Sequence, residues 1–461
     1  MYNKANRLVN AIRFASLAAV AAPATVMAGG FSLNEQSASA MGVANAGTAA
    51  NPENATTVFF NPAGMSQLSG TNISFGAAVL DIDAEARPET ISVTRQNPAV
   101  PVQPATAGGD IADPAVLPNF YLTHEVSDTI DVGFGIHAPY GLAADYDDGF
   151  AGRFFADKTE LTAIAFTPSI SVSNGNGLSM GAGINLIYAE GRLTRYQDLS
   201  GIAGPAALAL DEPYADVEGD DIGATFRVGF LYEISDMTQV GLTAQTGTEL
   251  DLKGDATISS FPVLGGAPGQ TTTLTEQVRV PLAIPESATL GLRHRFNDAF
   301  TLLAGATYAK WSRFEELDIL SRRQSPGEVS SVSGYPYISH VTEKWNNTWQ
   351  FNLGGIWQAT PQWAFKAGYA WDESPVNENF VTARIPSEDR HWLALGAQWQ
   401  DPRSGWTVDA AVGTLLFSGN ADVDDREYTH TNPTQPATAA RYQAEYDLSA
   451  WSAALQVSKA F

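Results

Sequence analysis

The residues that could do chemistry form an uneven set. No cysteine is present, which excludes thiolate nucleophiles, Cys-ligated zinc, iron–sulfur clusters and disulfide staples. His137 has Asp131 and several serines near it in sequence, but neither a triad spacing nor a nucleophile elbow accompanies it. A hydrolase is therefore the reading of a different class, and the chain is expected not to be an enzyme. The acids Asp145-Tyr146-Asp147-Asp148 and Asp422-Val423-Asp424-Asp425 could hold calcium, but solvated acids explain them as well, so no metal and no cofactor is assigned. With 26 bases against 50 acids the formal charge is −24, the wrong sign for nucleic acid. The bases are scarce enough that each one matters. Arg195, Arg227, Lys344, Lys366 and Arg390 could each receive a carboxylate or sit in an internal ion pair.

Positioning them falls to strands. Phe226, Val228, Phe230 and Tyr232 alternate with polar or small residues, as do Trp349, Phe351, Leu353 and Trp357, then Leu393, Leu395, Ala397 and Trp399, and Ile130, Val132, Phe134 and Ile136. Short turn-like links near 127–128, 174–177, 235–237, 297–298, 360–362 and 401–405 alternate with long polar links near 84–114, 139–159, 197–218, 257–272, 321–344, 372–389 and 418–446. That asymmetry predicts an all-β, 14-stranded antiparallel transmembrane β-barrel, because a soluble sandwich has no reason to keep every long link at one end. The bases named above, and His137, fall on the parity opposite to the lipid-facing residues. Only 16% of residues are charged, and the last strand alternates Trp451, Ala453, Leu455 and Val457 before the chain stops at Phe461. Such an aromatic end resembles the signal read by barrel-assembly machinery.

Residues 1–28 read as a cleaved export signal: Lys4, Arg7 and Arg13, then the apolar Phe14–Ala22, then Ala28 before the cut. Without cysteine and strongly acidic, an exported chain of this kind fits a bacterial envelope. The barrel is expected over 71–461, which leaves 29–70 before it. Leu33, Met41, Val43, Val58, Met65 and Leu68 are too many apolar groups for a solvated tail, so this stretch is expected to fold inside the barrel as a hatch, or plug.

Here the sequence GGFSLNEQSASAMGVANAGTAA (29–50) with TTVFFNPAGMSQLSG (56–70) closely resembles the hatch of the FadL family, outer-membrane long-chain fatty-acid transporters with relatives that import aromatic hydrocarbons. The likeness continues through HAPYGLAADYDDGFAGRFFA (137–156), YAKWSRFEEL (308–317) and GYAWDESPVNENFVTARIPSEDRHWLALG (368–396). It implies an outer-membrane monomer embedded in membrane lipid and lipopolysaccharide. Its partner would be a long-chain fatty acid or another hydrophobic small molecule, caught at outer loops, passed to an internal pocket and released sideways after hatch movement. On the matching positions, Asn61, Pro62 and Ala63 would gate the hatch, and Arg195 would contact ligand, with Lys344 within about one position of a second such base. If that second base is lost, an aromatic hydrocarbon becomes the better ligand.

Two further segments remain open in both directions. Pro139 removes a ladder donor, so Ala138-Pro139-Tyr140-Gly141 could mark a kink and lateral opening in the third strand, or could simply begin an outer loop. The unusually apolar link 200–210 could form a short helix presenting Ile202, Leu208 and Leu210 to an outer groove, or could pack on a neighbouring loop.

Overall fold

The computed structural model describes residues 30–263, 266–267 and 269–461, so the expected export signal (1–28) lies outside the described residues. Fourteen antiparallel strands close into a barrel. They are β1 (Thr71–Ala86), β2 (Ala115–Ser127), β3 (Ile130–Asp145), β4 (Lys158–Ser173), β5 (Leu178–Tyr196) and β6 (Tyr214–Ser235). Four strands with a mid-length break follow: β7 (Thr238–Gln245, Thr248–Pro262), β8 (Thr271–Ile284, Ser287–Arg295), β9 (Phe300–Ala309, Glu316–Ser321) and β10 (Tyr337–Thr342, Thr348–Gln358). The last are β11 (Trp363–Asp372), β12 (Arg390–Asp401), β13 (Trp406–Phe417) and β14 (Arg441–Ala460). Pairing of β1 with β14, from Asn72↔Ala460 to Ala86↔Tyr446, shuts the sheet on itself and leaves no wall edge unpaired at that seam.

The alternation behaves as a membrane wall requires. Phe226, Val228, Phe230 and Tyr232 on β6, and Trp349, Phe351, Leu353 and Trp357 on β10, are all exposed, while Thr225, Thr348 and Asn352 beside them are buried. Exposed aromatic residues cluster where strands meet turns, as with Phe300, Trp363, Trp399, Trp406 and Phe461, the position of an interfacial girdle. The mid-length breaks admit bulk inward. Trp311, Phe314 and Trp345, carried by the breaks of β9 and β10, pack around Phe31, with ring centroids 4.7 Å from Phe31 to Trp311 and 4.7 Å from Phe314 to Trp345.

Residues 30–70 form a short helix (Ala38–Met41), a second (Thr57–Phe60) and two 3-10 turns (Thr48–Ala50, Pro62–Gln67). Phe31, Leu33, Met41, Val43, Val58 and Met65 are each at most 4% exposed. The first helix packs on β12, β13 and β14, the turn at 48–50 on β7 and β8, and the turn at 62–67 on β4, β5 and β6. The wall makes room for it with glycine. A Cβ on Gly229 would collide with the Asn61 carboxamide, and one on Gly241 with the Ala49 carbonyl.

Several strands reach further into the expected long links, to Pro262 and from Tyr214, Tyr337 and Arg441, and one such extension bears on the site. β3 runs to Asp145, so Pro139 sits within it and does not begin a loop. Tyr140, Gly141, Leu142, Ala143 and Ala144 are buried in succession, so the two-residue pattern that marks a wall strand is lost there.

Candidate functional site

Strand pairing fails where Pro139 removes a donor. The β2–β3 ladder ends at Phe120↔Ile136, although β2 continues back to Ala115 with only β1 beside it over Ala115–Asn119. On its other side β3 slips register against β4 between His137 and Tyr140. The wall thus lacks a ladder between β2 and the upper half of β3. The freed groups of β3 are taken by the N-terminal segment: Leu33 N donates to the Pro139 carbonyl (3.0 Å), Gly141 N to the Phe31 carbonyl (2.9 Å) and Gln36 Nε2 to the Ala138 carbonyl (2.7 Å). Ser32 and Tyr140 face each other as a bridge pair.

Asn61 joins the same segment to β6. Its Nδ2 donates to the Ala49 carbonyl (2.5 Å) and to the Phe230 carbonyl of β6 (3.0 Å), while its Oδ1 accepts from Ala63 N (3.1 Å) and caps the 3-10 turn that Pro62 starts. One side chain thereby holds the turn, the preceding segment and the wall, and Asn61 is 1% exposed.

A sequence of cavities leads from the outer links toward β3. The outermost, about 580 Å3, is lined in part by Ile202, Leu199, Phe154, Phe261, Arg195 and Arg384. Below it Arg195 and Arg384 border a smaller space with Leu193, Val217, Ile258 and Leu317. The next, with Phe31, Leu142, Leu161, Leu252, Leu282 and Phe314 on its walls, is almost wholly apolar. Ser32, Leu33, Pro139 and Tyr140 then border a cavity of about 180 Å3. Among the described residues, no carboxylate forms a salt bridge with Arg195. Arg384 donates to Thr159 Oγ1 (2.9 Å) and to the Thr194 carbonyl (3.0 Å); burial, and after it the like charge of Arg195, bring its guanidinium down to about 10.

Other candidates are distributed differently. Residues 200–203 are helical and 204–209 form a 3-10 turn; Ile202 and Leu208 are exposed and Leu210 half-buried, with Ile202 alone of the three bordering the outer cavity. Lys344 does not border these cavities: its Nζ lies 5.6 Å from the Phe380 ring. Arg384 stands beside Arg195 instead, and sequence reasoning missed it although it lies within the block 368–396. Arg390 pairs with Asp372 (2.6 Å), its cross-strand neighbour, and not with the adjacent Glu388 or Asp389. Arg227 lies over the Phe59 ring at 4.6 Å. His137 Nε2 meets Thr167 Oγ1 (3.0 Å), while Asp131 accepts from Ser171, so the two do not form a relay.

Lys366 is a second fastener. Its buried Nζ contacts Glu53 Oε2 (2.6 Å), Asp409 Oδ1 (3.2 Å) and the Ser39 carbonyl (3.2 Å), joining the N-terminal segment to β11 and β13. Lys366→Met would leave two acids without their cation, and is expected to destabilise the folded chain by about 3–5 kcal/mol in urea unfolding.

Comparison with known proteins places these features. Residues 18–461 match the family described as "Outer membrane protein transport protein (OMPP1/FadL/TodX)". The chain belongs to this family. As a FadL/TodX-family protein it is an outer-membrane β-barrel transporter. It is 28% identical to a long-chain fatty acid transport protein of Escherichia coli O6:H1, over 92% of each chain. The solved structure of a Pseudomonas aeruginosa FadL homologue resembles it with a TM-score of 0.80 at 23% identity, covering 94% of this chain and 100% of that one. The Pseudomonas putida toluene transporter TodX resembles it with a TM-score of 0.65 at 17% identity, covering 92% and 97%.

Proposed function

We propose that the hydrophobic small molecules carried by this outer-membrane barrel are long-chain fatty acids. They enter by the outer cavity, pass the Arg195–Arg384 pair and leave sideways between β2 and β3 once the hatch, residues 29–70, shifts. The observation that carries the route is the missing β2–β3 ladder, with the N-terminal segment bonded in its place. A strand edge held by Phe31, Leu33 and Gln36 can open when those residues move, without breaking the rest of the barrel. The hatch reading is supported by the burial of residues 31–65 and by their contacts around the wall. An apolar route into the bilayer suits such a ligand, since each CH2 returned to water costs about 0.8 kcal/mol.

For the ligand, Arg195 makes no salt bridge among the described residues, with the Asp425 carboxylate near it but shared with Arg384, and it stands between the outer cavity and a mostly apolar one, so an incoming carboxylate could pair with it. A second reading, an aromatic hydrocarbon by the same route, is supported by the fold likeness to the toluene transporter and by the absence of Lys344 from the Arg195 cavity. Mass spectrometry of ligands that copurify with the chain separates the two: bound fatty acid supports the first, and neutral hydrocarbon with no carboxylate binding on titration supports the second. Asn61→Ala removes the bonds to Ala49 and Phe230, and is expected to reduce uptake severalfold while the barrel still inserts. Unchanged uptake would remove Asn61 from the mechanism.

A further inference from the structure

At the outer rim, on the border of the outer cavity, four potential metal ligands meet. Asp318 and His340 are direct cross-strand partners on the outer halves of β9 and β10, Glu316 lies two residues from Asp318 on the same strand, and His430 comes from the last outer link. One ligand atom from each of the four lies within 4.8 Å of all the others. His340 Nδ1 is 2.6 Å from Asp318 Oδ1 and 3.9 Å from Glu316 Oε2; His430 Nδ1 is 3.2 Å from Asp318 Oδ2 and 3.5 Å from Glu316 Oε2. Ligands about 2.0–2.1 Å from a tetrahedral zinc ion are separated by roughly 3.3 Å, within this range.

The hydrogen bonds behind the cluster orient the His340 ring. Thr342 Oγ1 donates its single proton to the Pro433 carbonyl (2.8 Å), so at its 3.0 Å contact with His340 Nε2 it must accept. The 2.6 Å contact of His340 Nδ1 with Asp318 Oδ1 needs a cation between them: a proton, which would make an imidazolium donating to both Asp318 and Thr342, or a metal ion on Nδ1 with Thr342 orienting the ring from Nε2. His430 Nδ1 is likewise inaccessible and has no hydrogen-bond partner. Two ring nitrogens and two carboxylates facing one another within 4 Å suit a shared cation. We propose that Glu316, Asp318, His340 and His430 bind one zinc ion. Two imidazoles and two carboxylates favour zinc over calcium, which prefers six to eight oxygens. The ion would fasten the last outer link to the β9–β10 rim, where His340 and His430 also border the outer cavity.

The test is calorimetric titration of zinc chloride into the full chain, purified without a histidine tag and stripped with chelator. One zinc per chain is expected, with affinity reduced at least about tenfold in His340→Ala and in His430→Ala. His430 lies on a link outside the wall, so its variant is expected to keep the wild-type circular dichroism. Absence of zinc binding, or binding unchanged in a folded His430→Ala, overturns the proposal, as does a site that takes calcium and excludes zinc.

Discussion

A disulfide between positions 32 and 140 is expected to stop uptake of a hydrophobic ligand, and reduction to restore it. Ser32 and Tyr140 are flanked, and not joined, by the bonds Leu33 N to Pro139 O and Gly141 N to Phe31 O. They are therefore the close type of antiparallel pair, with Cα atoms about 4.5 Å apart, within the span of a disulfide. The chain has no cysteine of its own, so Ser32→Cys/Tyr140→Cys has one possible cross-link. If the N-terminal segment must leave β3 for ligand to exit, oxidation should lower uptake of labelled oleate by an order of magnitude or more. Each single variant should be indifferent to oxidant. Equal uptake in the oxidised and reduced double variant would mean that ligand leaves elsewhere.

The second large effect belongs to Arg195. Losing a charge-assisted hydrogen bond from a partly buried site costs about 1.5–3 kcal/mol, so Arg195→Ala should weaken binding of oleate by about 10- to 150-fold. A neutral aromatic ligand should bind the variant as it binds the parent. Arg195→Lys should recover part of the loss, since it keeps the charge but not the planar fork. Equilibrium binding in detergent reads all three. Equal affinity of parent and Arg195→Ala for oleate would favour the aromatic-hydrocarbon reading.

The barrel was legible because lipid on one side and a polar interior on the other impose a two-residue period that strands such as β6 and β10 keep. Where that contrast is lost the sequence is silent: the upper half of β3 is buried residue after residue, and its end at Asp145 could not be placed. Partners set by register were equally hidden. Arg390 meets Asp372 because β11 and β12 pair there, and nothing in the spacing favours that acid over Glu388 or Asp389. Arg384 stands on a link with no periodicity to announce it. Gly229 was visible as a small residue on the inner parity of β6, but only the path of residues 49–61 explains why a Cβ is not tolerated there or at Gly241.

Lateral exit between β2 and β3 can be read by placing a photo-crosslinking residue at Leu117, on the stretch of β2 that lacks a partner in β3, and illuminating during uptake of labelled oleate. Strong labelling is expected at 117, well above that of the same residue at Val412, which faces lipid elsewhere on the wall, with little labelling at Gln239, beside the Ala50 carbonyl. Labelling at 117 no greater than at 412, with most of the label at 239, would contradict lateral exit and place the exit through the lumen.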